Sequence, residues 1–214
     1  MASGLDSAPE LGRRDRKTLA TRRALLDTAR AVFAEVGYDG AHKTEILARA
    51  KVSNGSLYHH FGGKAELFLA LFDELSRDRE ERSDRAVQDK RRAGVNDPVA
   101  LYVESCRAYM NACWDGRDLT ILFASGEGPA GFAATRERVL DRWIDRNARL
   151  LGRSPDDPLA HAITAVMSEA GRLVARSVDV VAADAVRDEF LGIIERMTAG
   201  AFGRTTGEGG IRGS

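Results

Sequence analysis

Residues 51–61, Lys51-Val52-Ser53-Asn54-Gly55-Ser56-Leu57-Tyr58-His59-His60-Phe61, constrain this chain more than any other stretch. The pattern predicts a turn, a helix start and one short helix. Leu57 and Phe61 stand four apart and so share one helical face, with Val52 on the same buried side. Ser53 suits the N-cap, because its hydroxyl can accept a hydrogen bond from an amide one turn inside. The other face carries Asn54, Gly55, Ser56, Tyr58 and His59, with no acid among them. Small donors and bare backbone without negative charge fit a phosphate-lined groove. Ordinary solvated surface has the same look, so the flanking sequence has to decide.

Upstream, residues 44–50 form a second short helical segment with Ile46, Leu47 and Ala50 apolar, and only Lys51-Val52 separate it from Ser53. Two short helices joined this tightly make a helix-turn-helix unit. Downstream, Gly62-Gly63 closes the helix and Lys64 enters the first turn of the next. Behind the unit, Leu25, Ala29, Val32, Phe33 and Val36 recur at helical spacing over residues 19–36, and Gly37 ends that helix.

Residues 22–72 resemble the N-terminal DNA-binding region of the TetR family of bacterial transcription regulators. The resemblance is carried by Gly55-Ser56-Leu57-Tyr58-His59-His60-Phe61-Gly62-Gly63-Lys64, with Phe33-Ala34-Glu35-Val36-Gly37-Tyr38 ahead of it. It covers about a quarter of the chain; the remainder is similar only in length and helical pattern. It implies an all-α protein, with an N-terminal three-helix helix-turn-helix DNA-binding domain followed by a larger helical ligand-binding and dimerisation domain. It also implies a transcriptional regulator, a repressor released from its operator by a small-molecule effector. A ligand-independent DNA-binding or interaction protein with the same fold is the alternative. The DNA contacts it suggests are His42, Thr44, Asn54, Gly55, Ser56, Tyr58, His59 and Lys64. Three positions depart from the family pattern. His42 stands where members usually have Ser or Thr, Lys43 where they have an apolar residue, and Lys51 where they have Gly. Those departures bear on phosphate contacts and local stability.

Charge is uneven along the chain. Residues 10–64 hold eleven Lys/Arg against six Asp/Glu, an excess of five, while the whole chain is neutral. A basic module joined to an acidic remainder fits a nucleic-acid-binding part beside a part that should not bind it. No run of eighteen apolar residues predicts a membrane span, and residues 1–10 lack a signal-peptide core, so a cytoplasmic, nucleoid-associated location is expected. Cys106 and Cys113 are the only cysteines. Seven apart on one helix, they sit about 10 Å from each other, too far for a disulfide within it, and read as buried thiols. Of the four histidines, His42, His59 and His60 lie in the DNA-binding region and His161 stands alone. With no nucleophile elbow, zinc-type His pair or phosphate loop, neither an enzyme nor a cofactor or metal site is expected.

The expected organisation is a disordered segment at 1–12, the helix-turn-helix domain at 13–64, the regulatory and dimerisation domain at 65–203 and a disordered tail at 204–214. The basic run Arg13-Arg14-Asp15-Arg16-Lys17 reads either as a solvated helix approach or as an arm along the DNA. Residues 65–92 read as one long helix, apolar from Leu67 to Leu75 and then a charged, solvent-facing connector. Helices follow at 99–114, 133–151, 159–178 and 182–202, with a short apolar segment at 119–124. The last two are the expected homodimer contact, which would present two recognition helices to a palindromic operator, half-sites about 34–36 Å apart. Tyr102, Cys106, Tyr109, Met110, Trp114, Phe123, Trp143 and Met167 are the bulky or soft side chains available to line a ligand pocket. Each is equally at home in plain core. Glu169 and Arg172, three apart, either orient a polar ligand group or form a surface ion pair.

Overall fold

A computed structural model describes residues 12–202. The segments expected to be disordered, apart from Gly12, lie outside the described residues. Within them every regular element is a helix: α1 (Arg13–Gly40), α2 (Lys43–Ala50), α3 (Asn54–His60), α4 (Lys64–Arg92), α5 (Pro98–Asp115), α6 (Arg117–Ala124), α7 (Phe132–Leu150), α8 (Pro158–Arg176) and α9 (Val180–Phe202). The all-α expectation holds. The chain divides into two compact units between Leu71 and Phe72.

The first unit is built on α1. Leu25, Leu26, Ala29, Val32 and Phe33 are all buried, the face that the spacing foretold. The helix kinks at Gly37, where φ is 71° and ψ is −178°, a conformation that a side chain resists. Val36, expected in the core, is half exposed. It sits next to the kink and packs on its own terminus, where a Cβ at Gly40 would come within 3.2 Å of the Val36 Cβ. The basic run at 13–17 is the opening of α1, with Arg14, Arg16 and Lys17 exposed, so it reads as a solvated helix start. Helices α2 and α3 both pack on α1, burying Ile46 and Leu57. An aromatic knot closes the unit: Phe33 and Tyr38 meet Phe68 edge-on, with ring centroids 5.3 and 4.9 Å away.

In the second unit α5, α8 and α9 pack against one another around Tyr102, Cys106, Met110, Ile163, Met167 and Ile194. Gly171 lets α5 and α8 approach closely, since a Cβ there would lie 2.7 Å from the Tyr109 ring and 2.8 Å from the Cys113 sulfur. Asp97 and Asp157 cap α5 and α8, each accepting a backbone N–H at 2.8 Å and each followed by proline at the first helical position. The stretch of α4 beyond Leu75 departs from expectation. It is not a solvent-facing connector, because Ser76, Ser83 and Val87 are buried. The Ser76 hydroxyl donates to the Phe72 carbonyl at 2.8 Å and the Ser83 hydroxyl to the Ser105 carbonyl at 3.2 Å. Small hydroxyls satisfied by carbonyls cost little to bury, so a stretch that looks charged carries a buried seam.

Candidate nucleic-acid interface and the cavity of the second unit

The interface starts from how α3 is held. Ser53 accepts the Ser56 amide at 3.2 Å and shares a 3.0 Å hydroxyl contact with the Ser56 side chain, which fixes the helix start. Leu57 is 1 % exposed and Phe61 9 %, so one face is anchored. The Arg22 guanidinium lies over the Phe61 ring, 4.9 Å from its centroid. Asn54, Gly55, Tyr58 and His59 are exposed on the other face and Ser56 is half-buried. A Cβ at Gly55 would make only an ordinary 3.8 Å contact with the Ser53 hydroxyl. The fold therefore does not require glycine there, and the bare backbone leaves room for close approach from outside. His42 and Thr44 are exposed at the start of α2. His42 occupies the N-cap without making a side-chain cap, as its departure from Ser or Thr implied.

Lys43 and Lys51 find local solutions. The Lys43 ammonium donates to the Tyr58 hydroxyl at 3.2 Å and stands 5.0 Å from that ring's centroid. Its charge is thus brought to the surface beside the most exposed aromatic of α3, which is 52 % accessible. Lys51 takes the left-handed conformation, φ 55° and ψ 41°, at the end of α2. This is the strain expected where the turn favours glycine.

Lys64, an expected DNA contact, is partly engaged within the fold. Its ammonium donates to the carbonyls of Tyr38 at 2.9 Å and Ala41 at 3.0 Å, and sits 4.1 Å from the Tyr38 ring centroid. The Tyr38 carbonyl also accepts the Ala41 amide at 3.3 Å, so the lysine adds a second donor at the end of α1. Sequence reading also passed over Arg49, which bonds Glu35 at 2.9 Å and Glu45 at 2.6 Å and ties α2 to α1. The i,i+4 spacing of Glu45 and Arg49 was the available signal. Because Glu45 is engaged in this way, the only acid between His42 and Phe61 is neutralised. Burial, then the neighbouring His59 and Arg22, pushes the His60 pKa below its usual value.

The second unit contains a cavity of about 920 Å³, within the range of small-molecule sites. Tyr109, Phe123 and Trp143 border it. The other expected lining residues do not: Tyr102, Cys106, Met110 and Met167 are fully buried in the main cluster, and Trp114 packs against it. Helical spacing placed them correctly on inward faces, but the inward face of α5 is mostly filled by α8 and α9. Burial pushes the Cys106 thiol up to about 12 and the Tyr109 phenol well above its usual range, so both stay neutral. Leu140 is 42 % exposed and lies on the wall of this cavity. Sequence reading missed Arg79, Arg136 and His161 on the lining, none of which lies in an apolar stripe. Glu169 and Arg172 border it as well and bond to each other, which bears out the ion-pair half of the alternative.

Comparisons with known proteins bear on the first unit most directly. Residues 25–71 match the family described as bacterial regulatory proteins, tetR family. The A-factor receptor protein of Streptomyces griseus is 33% identical over 137 residues, covering 63% of this chain and 44% of that protein. The HTH-type transcriptional repressor AcnR of Corynebacterium efficiens is 36% identical over 83 residues, 38% of this chain and 44% of that one. The matched stretch thus spans less than half the length of either relative. A putative TetR-family transcriptional regulator from Syntrophomonas wolfei shares the fold, with a TM-score of 0.70 at 16% identity over 84% of this chain and 95% of its own.

Proposed function

We propose, from the premise that residues 25–71 belong to the TetR family of bacterial regulatory proteins, that the chain is a sequence-specific DNA-binding transcriptional regulator. The observation that carries this reading is the exposed, acid-free face of α3. Asn54, Gly55, Tyr58 and His59 are presented on a capped helix whose opposite face is locked by Leu57 and Phe61. Donors and open backbone on a rigid helix suit the edges and phosphates of a major groove. His42 and Thr44 add donors at the start of α2, and Lys64, with two of its three ammonium donors on the Tyr38 and Ala41 carbonyls, keeps one for a phosphate.

A helix of seven residues reads few base pairs, so the working form is a homodimer on a palindromic operator. The contact runs through residues 159–178 and 182–202. Leu173 and Ile193 support this, being half-buried apolar residues of α8 and α9 that lie outside the main apolar cluster. Repression is the mode carried by the AcnR relative, and a small-molecule effector is suggested by the printed name of the receptor relative and by the cavity. Helix α4 couples the two: Phe72, Ser76 and Arg79 border the cavity, and Lys64 at its start holds the Tyr38 and Ala41 carbonyls. If ligand weakens DNA binding, linkage requires bound DNA to weaken the ligand in the same proportion.

The test is footprinting on DNA flanking the chain's own gene. A protected inverted repeat is expected, and Tyr58→Ala should weaken its binding by about tenfold, the scale of one lost base contact. Weak binding without a protected repeat, equally lowered by salt on every sequence, would overturn sequence-specific recognition.

A further inference from the structure

The chemistry of the cavity wall identifies a class of ligand, on the reading that this cavity is the effector site. We propose that it takes an amphipathic anion, a small molecule with an apolar body and one anionic group, and that Arg79 receives the anionic group. Arg79 is half-buried on the wall. Its Nη2 donates to the Thr120 hydroxyl at 2.5 Å, and its guanidinium carbon lies 5.5 Å from the Tyr109 ring centroid. The Nε is buried without a hydrogen-bond partner. Among the described residues no carboxylate pairs with Arg79.

The surroundings do not supply the missing charge. The Thr120 hydroxyl is neutral and is already engaged with the Cys113 and Gly116 carbonyls, at 3.1 and 2.9 Å. Tyr109 and Cys113, ionisable groups that feel the Arg79 charge, are held protonated by burial. Glu169 is bonded to Arg172. Arg136 and Glu137, also on the lining, are both exposed to solvent. A guanidinium drawn out of water without a counter-charge is unfavourable, and a bound anion removes that penalty while gaining charge-assisted hydrogen bonds. Phe72, Phe123, Leu140, Trp143 and Ile144 form the apolar part of the wall, the surface for the ligand's body. Leu140, the exposed leucine, becomes covered when the cavity fills.

A matched pair of fluorescent probes separates body from charge. Anilinonaphthalene sulfonate and N-phenylnaphthylamine share one aromatic body and differ by the sulfonate. Titrated into the full chain, the sulfonate should bind about tenfold tighter than the neutral probe, and the preference should persist in half-molar salt because the cation is partly buried. Arg79→Met should abolish the preference and leave the neutral probe within about twofold, whereas Arg136→Gln should leave the preference intact. Ala165→Trp, which fills the cavity, should remove both probes.

Equal binding of the two probes to the unaltered chain would overturn the anion inference while leaving the cavity as a site. A preference that survives Arg79→Met would overturn the assignment to Arg79. Saturable binding of neither probe, or binding indifferent to Ala165→Trp, would instead sink the effector-site reading beneath it. Should Arg79→Met fail to fold, Arg79→Lys decides the assignment: it keeps the charge without the fork and should retain a reduced preference, and an undiminished one overturns it.

Discussion

A single lysine shows how much of a side chain's position residue type leaves unstated. Lys64 stands at the edge of a DNA-binding motif, and a cation there reads naturally as a phosphate contact. Its ammonium also donates to the carbonyls of Tyr38 and Ala41. Those carbonyls close the end of α1 just past the positive φ of Gly37, a feature visible in sequence only as a glycine near a helix end. Lys64→Met should therefore cost about 1–3 kcal/mol of stability, because two carbonyls lose a charged donor. A lowered urea midpoint is the expected result. Undiminished stability with weakened DNA affinity would leave the phosphate role alone. Arg79 poses the converse case: it lies in a run that reads as solvated charge, yet it is the half-buried cation of a cavity wall.

At the scale of elements, the chain was legible wherever apolar spacing and caps agreed. Ser53, Leu57 and Phe61 mark α3 before any coordinates are known, and Asp97-Pro98 and Asp157-Pro158 announce α5 and α8. Element pairing was not legible in the same way. Periodicity reports which face of α5 is inward but not whether a helix or a cavity meets it, so Tyr102 and Tyr109 looked alike. Only Tyr109 borders the cavity. The buried seam of α4 was hidden because serine is coded as polar whether or not a carbonyl waits for it.

Helix α3 carries a pH dependence of its own. His60 is held below its ordinary pKa of 6.5, first by burial and then by His59 and Arg22. The unfolded chain thus takes up this proton at higher pH than the folded chain does. The stability contribution is unchanged above about pH 6.5 and declines as pH falls below it. A urea midpoint lower at pH 5.5 than at pH 7.5 is expected, with a smaller difference in His60→Gln. An identical pH difference in the variant would remove His60 as its source.

For the whole molecule, the proposed function carries one constraint: a first unit offering a single seven-residue α3 would be too small a reader to act alone. It holds the excess positive charge, while the remainder of the chain is correspondingly acidic and has no use for it in binding DNA. Pairing two such readers doubles the number of phosphates and edges engaged and fixes their spacing, and the surface that pairs them must be apolar and lie outside the core. Leu173 and Ile193 meet both conditions. Placing a carboxylate at the centre of that contact puts two like charges close together across the two-fold axis, in a desolvated setting where each is costly. Ile193→Asp should then sediment as a monomer at micromolar concentration, keep its helical content, and lose most of its affinity for an inverted repeat. It should retain only the weak, strongly salt-dependent binding of one basic unit. A variant that stays dimeric in analytical ultracentrifugation would place the contact elsewhere. A monomer that binds the operator with full affinity would show that a single copy of α3 suffices.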